Sequence, residues 1–384
     1  MLDVTRKGMD PDIYGAFIEQ LDRFVRERLI PAEDRVEELG RVPDDILAEM
    51  RDMGLFGVTM PEEYGGAGMN VSQYIGFVQA LAYAAPAFRS ILSINVGMVN
   101  SAISNFGTEE QKREWLPKMV SGEVVTAIAM TEPGTGSDLQ GIRTTAKKDG
   151  NHYVINGSKT YITNGQNADL ILVCAKTDTE VEPAWKGVSI ILVEATRDGF
   201  KRGRNLDKIG QDAADTSELF FEDVRVPMTN CLGAEGKGFI YLMSELPQER
   251  LAIAIGAQAS AQRAFDDTIA FTKDRKAFGK TVFDFQNTRF TLADLKSKLQ
   301  VGWAHIDWAL ARHLKRELTP EEGAAAKLWH TEMQWEVMDK CLQLHGGAGY
   351  MNEYPIARAW RGARVSRIYG GANEIMKELI GRKL

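Results

Sequence analysis

The chain has 384 residues and carries 53 acidic against 46 basic side chains, a net charge of −7. That balance argues against a nucleic-acid binder, which needs a basic face, and 44% hydrophobic residues exclude a disordered, solvating chain. His is scarce, and Cys174, Cys231 and Cys341 are too scattered for a disulfide framework or a zinc knuckle, so carboxylates are the first candidates for acid–base chemistry.

The N-terminal residues lack the apolar core of a signal peptide, and Asp3, Asp10 and Asp12 count against an Arg-rich transit peptide. No apolar run approaches the ~20 residues of a membrane span. The expectation is a cytoplasmic protein without stable membrane insertion.

Ile13, Phe17, Leu21, Phe24 and Leu29 recur at close to helical spacing up to Pro31. A second helix opens at Pro43, with Asp44 and Asp45 in its first turn, and ends near Gly54. The Pro- and Gly-rich stretch Met60 to Gly68 is a loop, after which helical patterns run to about Val120. The period then changes. Three short β-prone runs, 142–148, 152–155 and 158–163, are each followed by a turn pair: Asp149-Gly150, Asn156-Gly157 and Asn164-Gly165. Such pairs favour the positive φ of hairpin turns, so the sequence predicts a meander. Runs at 170–175, 188–194 and 219–226 extend the β region to Pro227. Beyond it, Leu292, Leu295, Leu299, Trp303, Ile306, Leu310 and Leu314 form a long helical stripe. Thr319-Pro320-Glu321-Glu322 then opens another helix with a capping box. The order is helical, β, helical, with domains expected at 1–120, 121–230 and 231–384.

Several segments carry more than structure. The Gly-rich loop from Thr131 to Asp138 presents backbone N–H groups but is neither a P-loop nor a dinucleotide fingerprint. Tyr161 to Gly165 ends a strand, and by itself reads as an aromatic packed on a sheet. Asp274 to Lys280 is a basic cluster at a helix end, which is ordinarily a solvated, dipole-matched terminus. Gln343 to Gly349 ends a helix with more glycine than a cap needs. Glu249 follows Pro247 closely, and the helix is expected to begin or kink at that proline. Taken alone, Glu249 reads as a solvated first-turn acid.

In order and spacing, these segments together with Ile368-Tyr369-Gly370-Gly371-Ala372-Asn373-Glu374 resemble the acyl-CoA dehydrogenase family along nearly the whole chain. The resemblance implies a multi-domain α+β fold: an N-terminal helical domain, a central β domain and a C-terminal four-helix bundle. It implies FAD as cofactor, an acyl-CoA substrate, an electron-transferring flavoprotein as acceptor and a homotetramer, a dimer of dimers. The implied reaction removes the proton α to a thioester while the flavin accepts hydride from the β carbon, giving a trans-2-enoyl-CoA.

Many members carry the base as Glu after the Tyr of a Tyr-Glu-Gly-Thr segment, where this chain has Gly370. The long-chain and isovaleryl-type members carry it instead immediately before an Arg, as in Glu249-Arg250. The resemblance therefore implies Glu249 as base, with the Gly370 N–H retained as an enolate donor and Glu374 as the rival acid. Ala372 stands where Thr is usual, and Ile128 where several members have an aromatic. By position, Ile128, Ala129, Met130, Thr131, Ser137, Tyr161, Ile162 and Thr163 line the flavin, with Ala372, Asn373 and Glu374 beside it. Arg275, Phe278, Gln286, Gln343, Leu344, His345, Gly346 and Gly347 hold the FAD pyrophosphate and adenosine, partly across a subunit interface. Ser137, Arg250, Gly370 and Gly371 serve the substrate. The resemblance favours a medium- or long-chain acyl group, with branched (isovaleryl-type) or aromatic groups as alternatives. An oxidase on the same scaffold and, remotely, a DNA-associated flavoprotein are the alternatives.

Overall fold

The computed structural model describes residues 5–384. The stretch read for a leader signal begins outside the described residues. Among the described residues, no helix is long and apolar enough to cross a membrane.

Seven helices come first: α1 (Pro11–Phe24), α2 (Glu33–Leu39), α3 (Asp44–Asp52), α4 (Val71–Leu81), α5 (Pro86–Ser93), α6 (Asn100–Phe106) and α7 (Glu109–Val120). Their starts follow from local chemistry. Asp10 accepts from the N–H groups of Asp12 and Ile13, and Pro11 opens α1. Asn70 with Gln73 and Thr108 with Gln111 form reciprocal capping boxes on α4 and α7. Between α5 and α6 the chain winds wider, as a π-helical stretch over Ile94–Val99.

The middle is a seven-stranded sheet: β1 (Thr126–Ala129), β2 (Thr145–Asp149), β3 (His152–Thr163), β4 (Leu170–Lys176), β5 (Val188–Glu194), β6 (Phe200–Asn205) and β7 (Thr216–Pro227). The strand order is β1-β4-β2-β3-β7-β6, with β5 beside β4. The expected meander is corrected here. Asp149-Gly150 does close a hairpin, pairing Asp149 with His152. Asn156-Gly157 lies inside the single strand β3, where the register against β7 shifts between Ile155 and Gly157. The glycine is there because its α carbon passes so close to Thr144 that a Cβ would stand 2.8 Å from the Thr144 Cα. Asn164 takes a positive φ of 62° but leads into a loop, and β4 then pairs with β1 and β5 rather than with β3.

The C-terminal part holds α8 (Gly238–Asp274), a hairpin of β8 (Lys276–Ala277) and β9 (Lys280–Thr281), α9 (Gln286–Leu314), α10 (Pro320–His345), α11 (Pro355–Ala363) and α12 (Asn373–Gly381). Helix α8 continues through Pro247 over 37 residues, so it does not begin there. The Thr319/Glu322 box caps α10 as its sequence predicts. Leu292, Leu295, Leu299 and Ile306 of the α9 stripe are buried. One core cluster joins Leu251 and Ile255 of α8 to the N-terminal helices, and another joins those helices to one face of the sheet. With Leu242 in the second cluster, the first half of α8 is thus packed against both other parts of the molecule.

Candidate active site

Glu249 projects from α8 into a small pocket lined by Tyr74, Gly97, Met98, Glu245, Gln248 and Ala252. The α4 tyrosine and the π-helical stretch form the opposite wall. Gly97 makes the cavity: a Cβ there would stand 3.2 Å from the Tyr74 hydroxyl and 4.0 Å from Glu249 Oε2. Burial pushes the Glu249 carboxyl above its ordinary pKa. Arg89 opposes that shift and Glu245, one turn earlier on the same helix face, adds to it. Among the described residues Arg89 forms no hydrogen bond or ion pair, so its charge acts on Glu249 from a distance. The carboxylate is therefore a stronger base than a solvated one.

Gly370 arrives from the other side. It has φ +64°, and a Cβ at that position would collide with Cδ1 of Ile253, one turn beyond Glu249 on α8. The glycine turn thus packs against α8 one turn beyond the acid. The Gly370 N–H meets no protein acceptor among the described residues. Gly371 follows with φ +94°. Glu374 sits exposed in the first turn of α12, consistent with a helix-start acid. Arg250 is buried, its Nε has no hydrogen-bond partner, and burial lowers its pKa.

The strand residues divide by side-chain direction. Ala129 and Ile162 point into the sheet core, and Ile128 is buried against the helical side, so these three can offer a flavin little beyond backbone. Tyr161 stands out, 68% exposed with φ 59°, at the bulge between Lys159 and Ile162. Met130, Thr131 and Thr163 are partly exposed and Ser137 fully so. The buried ammonium of Lys159 braces this edge, donating to Met130 O at 3.0 Å and Glu132 Oε1 at 2.9 Å. Glu132 in turn accepts from the N–H groups of Arg143 and Thr144.

Asn373 differs from expectation. Its side chain is buried and spent on Thr331 and Glu332, which leaves only backbone for a cofactor. His345 is likewise turned inward, bonded to Cys341 O and stacked on Phe271 at 4.1 Å. Arg275, Phe278, Gln286, Gln343, Gly346 and Gly347 are exposed, while Leu344 is half-buried. The stacking of Phe271 on His345 brings the ends of α8 and α10 together. This group does not meet Glu249 within the chain. Arg275 follows the base by 26 residues, about 39 Å at the ~1.5 Å rise of a helix.

The residues fit a flavin dinucleotide. Tyr161 offers a free aromatic face, a Cβ on Gly134, Gly346 or Gly347 would meet nothing, and Arg275 carries charge for a diphosphate. Tyr74, Arg89 and Lys327 were not singled out from the sequence. Only the four-residue spacing of Glu245 and Glu249 was a readable signal.

Residues 14–123, 127–224 and 236–384 match the N-terminal, middle and C-terminal domains of acyl-CoA dehydrogenase. The chain is 46% identical to the mitochondrial long-chain specific acyl-CoA dehydrogenase of Sus scrofa, over 100% of this chain and 89% of that one. An acyl-CoA dehydrogenase structure from Geobacillus kaustophilus superposes with a TM-score of 0.93 at 43% identity, covering 99% of both chains. A glutaryl-CoA dehydrogenase from Mycobacterium smegmatis, solved in complex with FADH2, superposes at 0.90 with 30% identity, covering 98% of this chain and 95% of that one. The family matches and relatives define an oxidoreductase of a flavoprotein class. The chain belongs to the acyl-CoA dehydrogenase family.

Proposed function

We propose that this protein catalyses the FAD-dependent α,β-dehydrogenation of a medium- to long-chain fatty acyl-CoA to the trans-2-enoyl-CoA. The observation that carries the reading is a desolvated Glu249 on α8 with the glycine turn, its Gly370 N–H unengaged, packed against the same helix one turn away. Glu249 takes the α proton. The Gly370 N–H donates to the thioester oxygen as negative charge develops there, a preorganised donor of the kind that supplies much of enzymatic rate acceleration. Tyr74 and Met98 wall the acyl chain, which on entering displaces water and strengthens the base. Arg250 belongs to the polar network on the substrate side. FAD supplies the hydride acceptor for the β carbon, with Tyr161 and Thr131 beside it.

The separation of Arg275 from Glu249 supports a shared cofactor site. Arg275, Phe278, Gln286 and the Gln343–Gly347 turn hold the diphosphate and adenosine of a neighbouring subunit's FAD, within a homotetramer. An electron-transferring flavoprotein takes the electrons onward. The long-chain preference rests on similarity to long-chain enzymes. The test is anaerobic bleaching of the flavin absorbance by a panel of acyl-CoAs varied in length and branching. Bleaching by straight long chains is expected; bleaching only by branched or aromatic thioesters would overturn the substrate, and none at all would overturn the reaction.

A further inference from the structure

A fully buried lysine lies behind the glycine turn. Lys327, on α10, has no solvent-exposed side-chain surface, and its Nζ donates to Gly371 O at 2.9 Å and Asn373 Oδ1 at 2.8 Å. Both acceptors are neutral. Among the described residues no carboxylate forms an ion pair with it within 4.0 Å. A buried ammonium without a counter-ion is costly, and an apolar side chain of the same length would favour folding more. Its presence calls for a reason other than stability.

The reason lies in what it bonds. Gly370 and Gly371 are consecutive, both at positive φ, and two adjacent glycines form the freest peptide segment a chain can have. A catalytic N–H on such a segment needs outside restraint. On the N-terminal side, Ser366 Oγ bonds Gln334 Oε1 at 2.7 Å and Arg367 bonds Glu332 at 2.9 Å. On the C-terminal side, Asn373 is held by Thr331 and Glu332, and the Gly371 carbonyl is held by Lys327. Four α10 side chains, Lys327, Thr331, Glu332 and Gln334, spread over about two turns of the helix, thus string the glycine segment between fixed points.

We propose that Lys327 is a positioning residue for the reaction: by fixing the Gly371 carbonyl it holds the Gly370 N–H aimed at the thioester oxygen. This rests on the donor role of Gly370 given above. The groups facing Lys327 are Arg250 from α8, Glu332 from α10, Arg367 and Glu374, and the net of burial and these charges brings its pKa down to about 8. A lysine that has lost its proton still has N–H donors for both acceptors.

The test uses the flavin-loaded holoenzyme and Lys327→Met. Steady-state turnover with a straight-chain acyl-CoA is expected to lose about tenfold to a hundredfold in kcat with little change in KM, the cost of a slightly misplaced group. A 3-thia-acyl-CoA, whose α-deprotonated form gives a long-wavelength charge-transfer band with the flavin, reports the thioester's acidity directly. Its bound pKa should rise by about one unit, a tenfold change in the deprotonation equilibrium. Unchanged kcat and unchanged bound pKa in a folded, flavin-loaded variant overturn the proposal, as does a loss confined to flavin content or melting temperature. Should Lys327→Met not fold, replacing Ala372 by its α-hydroxy acid turns the Gly371 carbonyl into a weaker, ester acceptor and leaves every other side chain in place. The same shift in smaller measure is expected, and its absence overturns the proposal. If the wild-type holoenzyme neither turns over acyl-CoA nor deprotonates the probe, the dehydrogenase reading itself fails, which is a separate outcome.

Discussion

Ile253 fills the space that a side chain at Gly370 would occupy, its Cδ1 lying where the Cβ would point. A glutamate at position 370 is therefore opposed here by packing against Ile253 as well as by the charge of Glu249. Moving the base by Glu249→Gly with Gly370→Glu asks the new side chain to displace Ile253 and to accept φ +64°, at about 1–2 kcal/mol for a non-glycine residue. The double variant should bind FAD yet reduce it slowly. Adding Ile253→Ala should raise the rate of anaerobic bleaching several-fold, and no gain would show that Ile253 is not the obstacle.

Replacing the proposed base outright is simpler. Glu249→Gln should keep the flavin and lose about 10²–10⁴-fold in the reductive rate, the usual worth of a general base. It should also stabilise the fold. A carboxyl whose folded pKa exceeds its unfolded pKa binds more protons when folded, so stability falls as pH rises through that window. Glu249→Gln removes the penalty at neutral pH and changes little at acid pH, where the wild-type group is already protonated. Thermal melts at two pH values measure both effects.

The neighbours of Glu249 should tune its titration in opposite directions. The base must be ionised to act, so kcat/KM falls as pH drops through its pKa. Removing the repulsive Glu245 by Glu245→Gln should move that acid limb to lower pH, and removing the attractive charge by Arg89→Met should move it higher. Shifts of the same sign would contradict the electrostatic picture.

Gly97→Ala separates stability from function. Within a helical stretch alanine favours folding over glycine by up to about 1 kcal/mol, yet the new methyl would sit 3.2 Å from the Tyr74 hydroxyl and reach toward Glu249. Melting temperature should hold or rise while KM for acyl-CoA rises about tenfold, as expected when a packed site is overfilled by a small group.

Arg275→Ala should lose FAD without loss of rate per bound flavin. Mixed assemblies give a sharper test of a shared site. Arg275→Ala subunits keep Glu249, and Glu249→Gln subunits keep Arg275, so co-expressing the two should restore activity that neither has alone. Absence of complementation in tetramers shown to contain both would mean that Arg275 serves its own chain.

The helical, β, helical order was legible because hydrophobic period reports directly on which face is buried. The capping box at Thr319 was legible for the same kind of local reason. The meander failed because Asn156-Gly157 carries a turn signature for a different cause: glycine is needed there for close passage by Thr144, a long-range fact. Glu249 became visible through the glycine at 370 and the resemblance it completed, whereas nothing local distinguished it from other acids. Lys327 and Arg89 had no signal at all. A lysine in a helical pattern reads as solvated, and only tertiary packing shows that this one is sealed beneath a glycine turn.

Pro247 lies within α8, two residues before Glu249. Proline has no N–H to give, so the carbonyl of Met243 lacks its helical donor, and the ladder has a missing rung beside the base. Helix α8 thereby lacks one backbone hydrogen bond two residues before the proposed base. Amide exchange should be fast just before Pro247 and slow over the Ala-rich turns after Leu251. Local breathing at the mouth of the cavity can then admit an acyl chain without the motion travelling down the helix to Arg275.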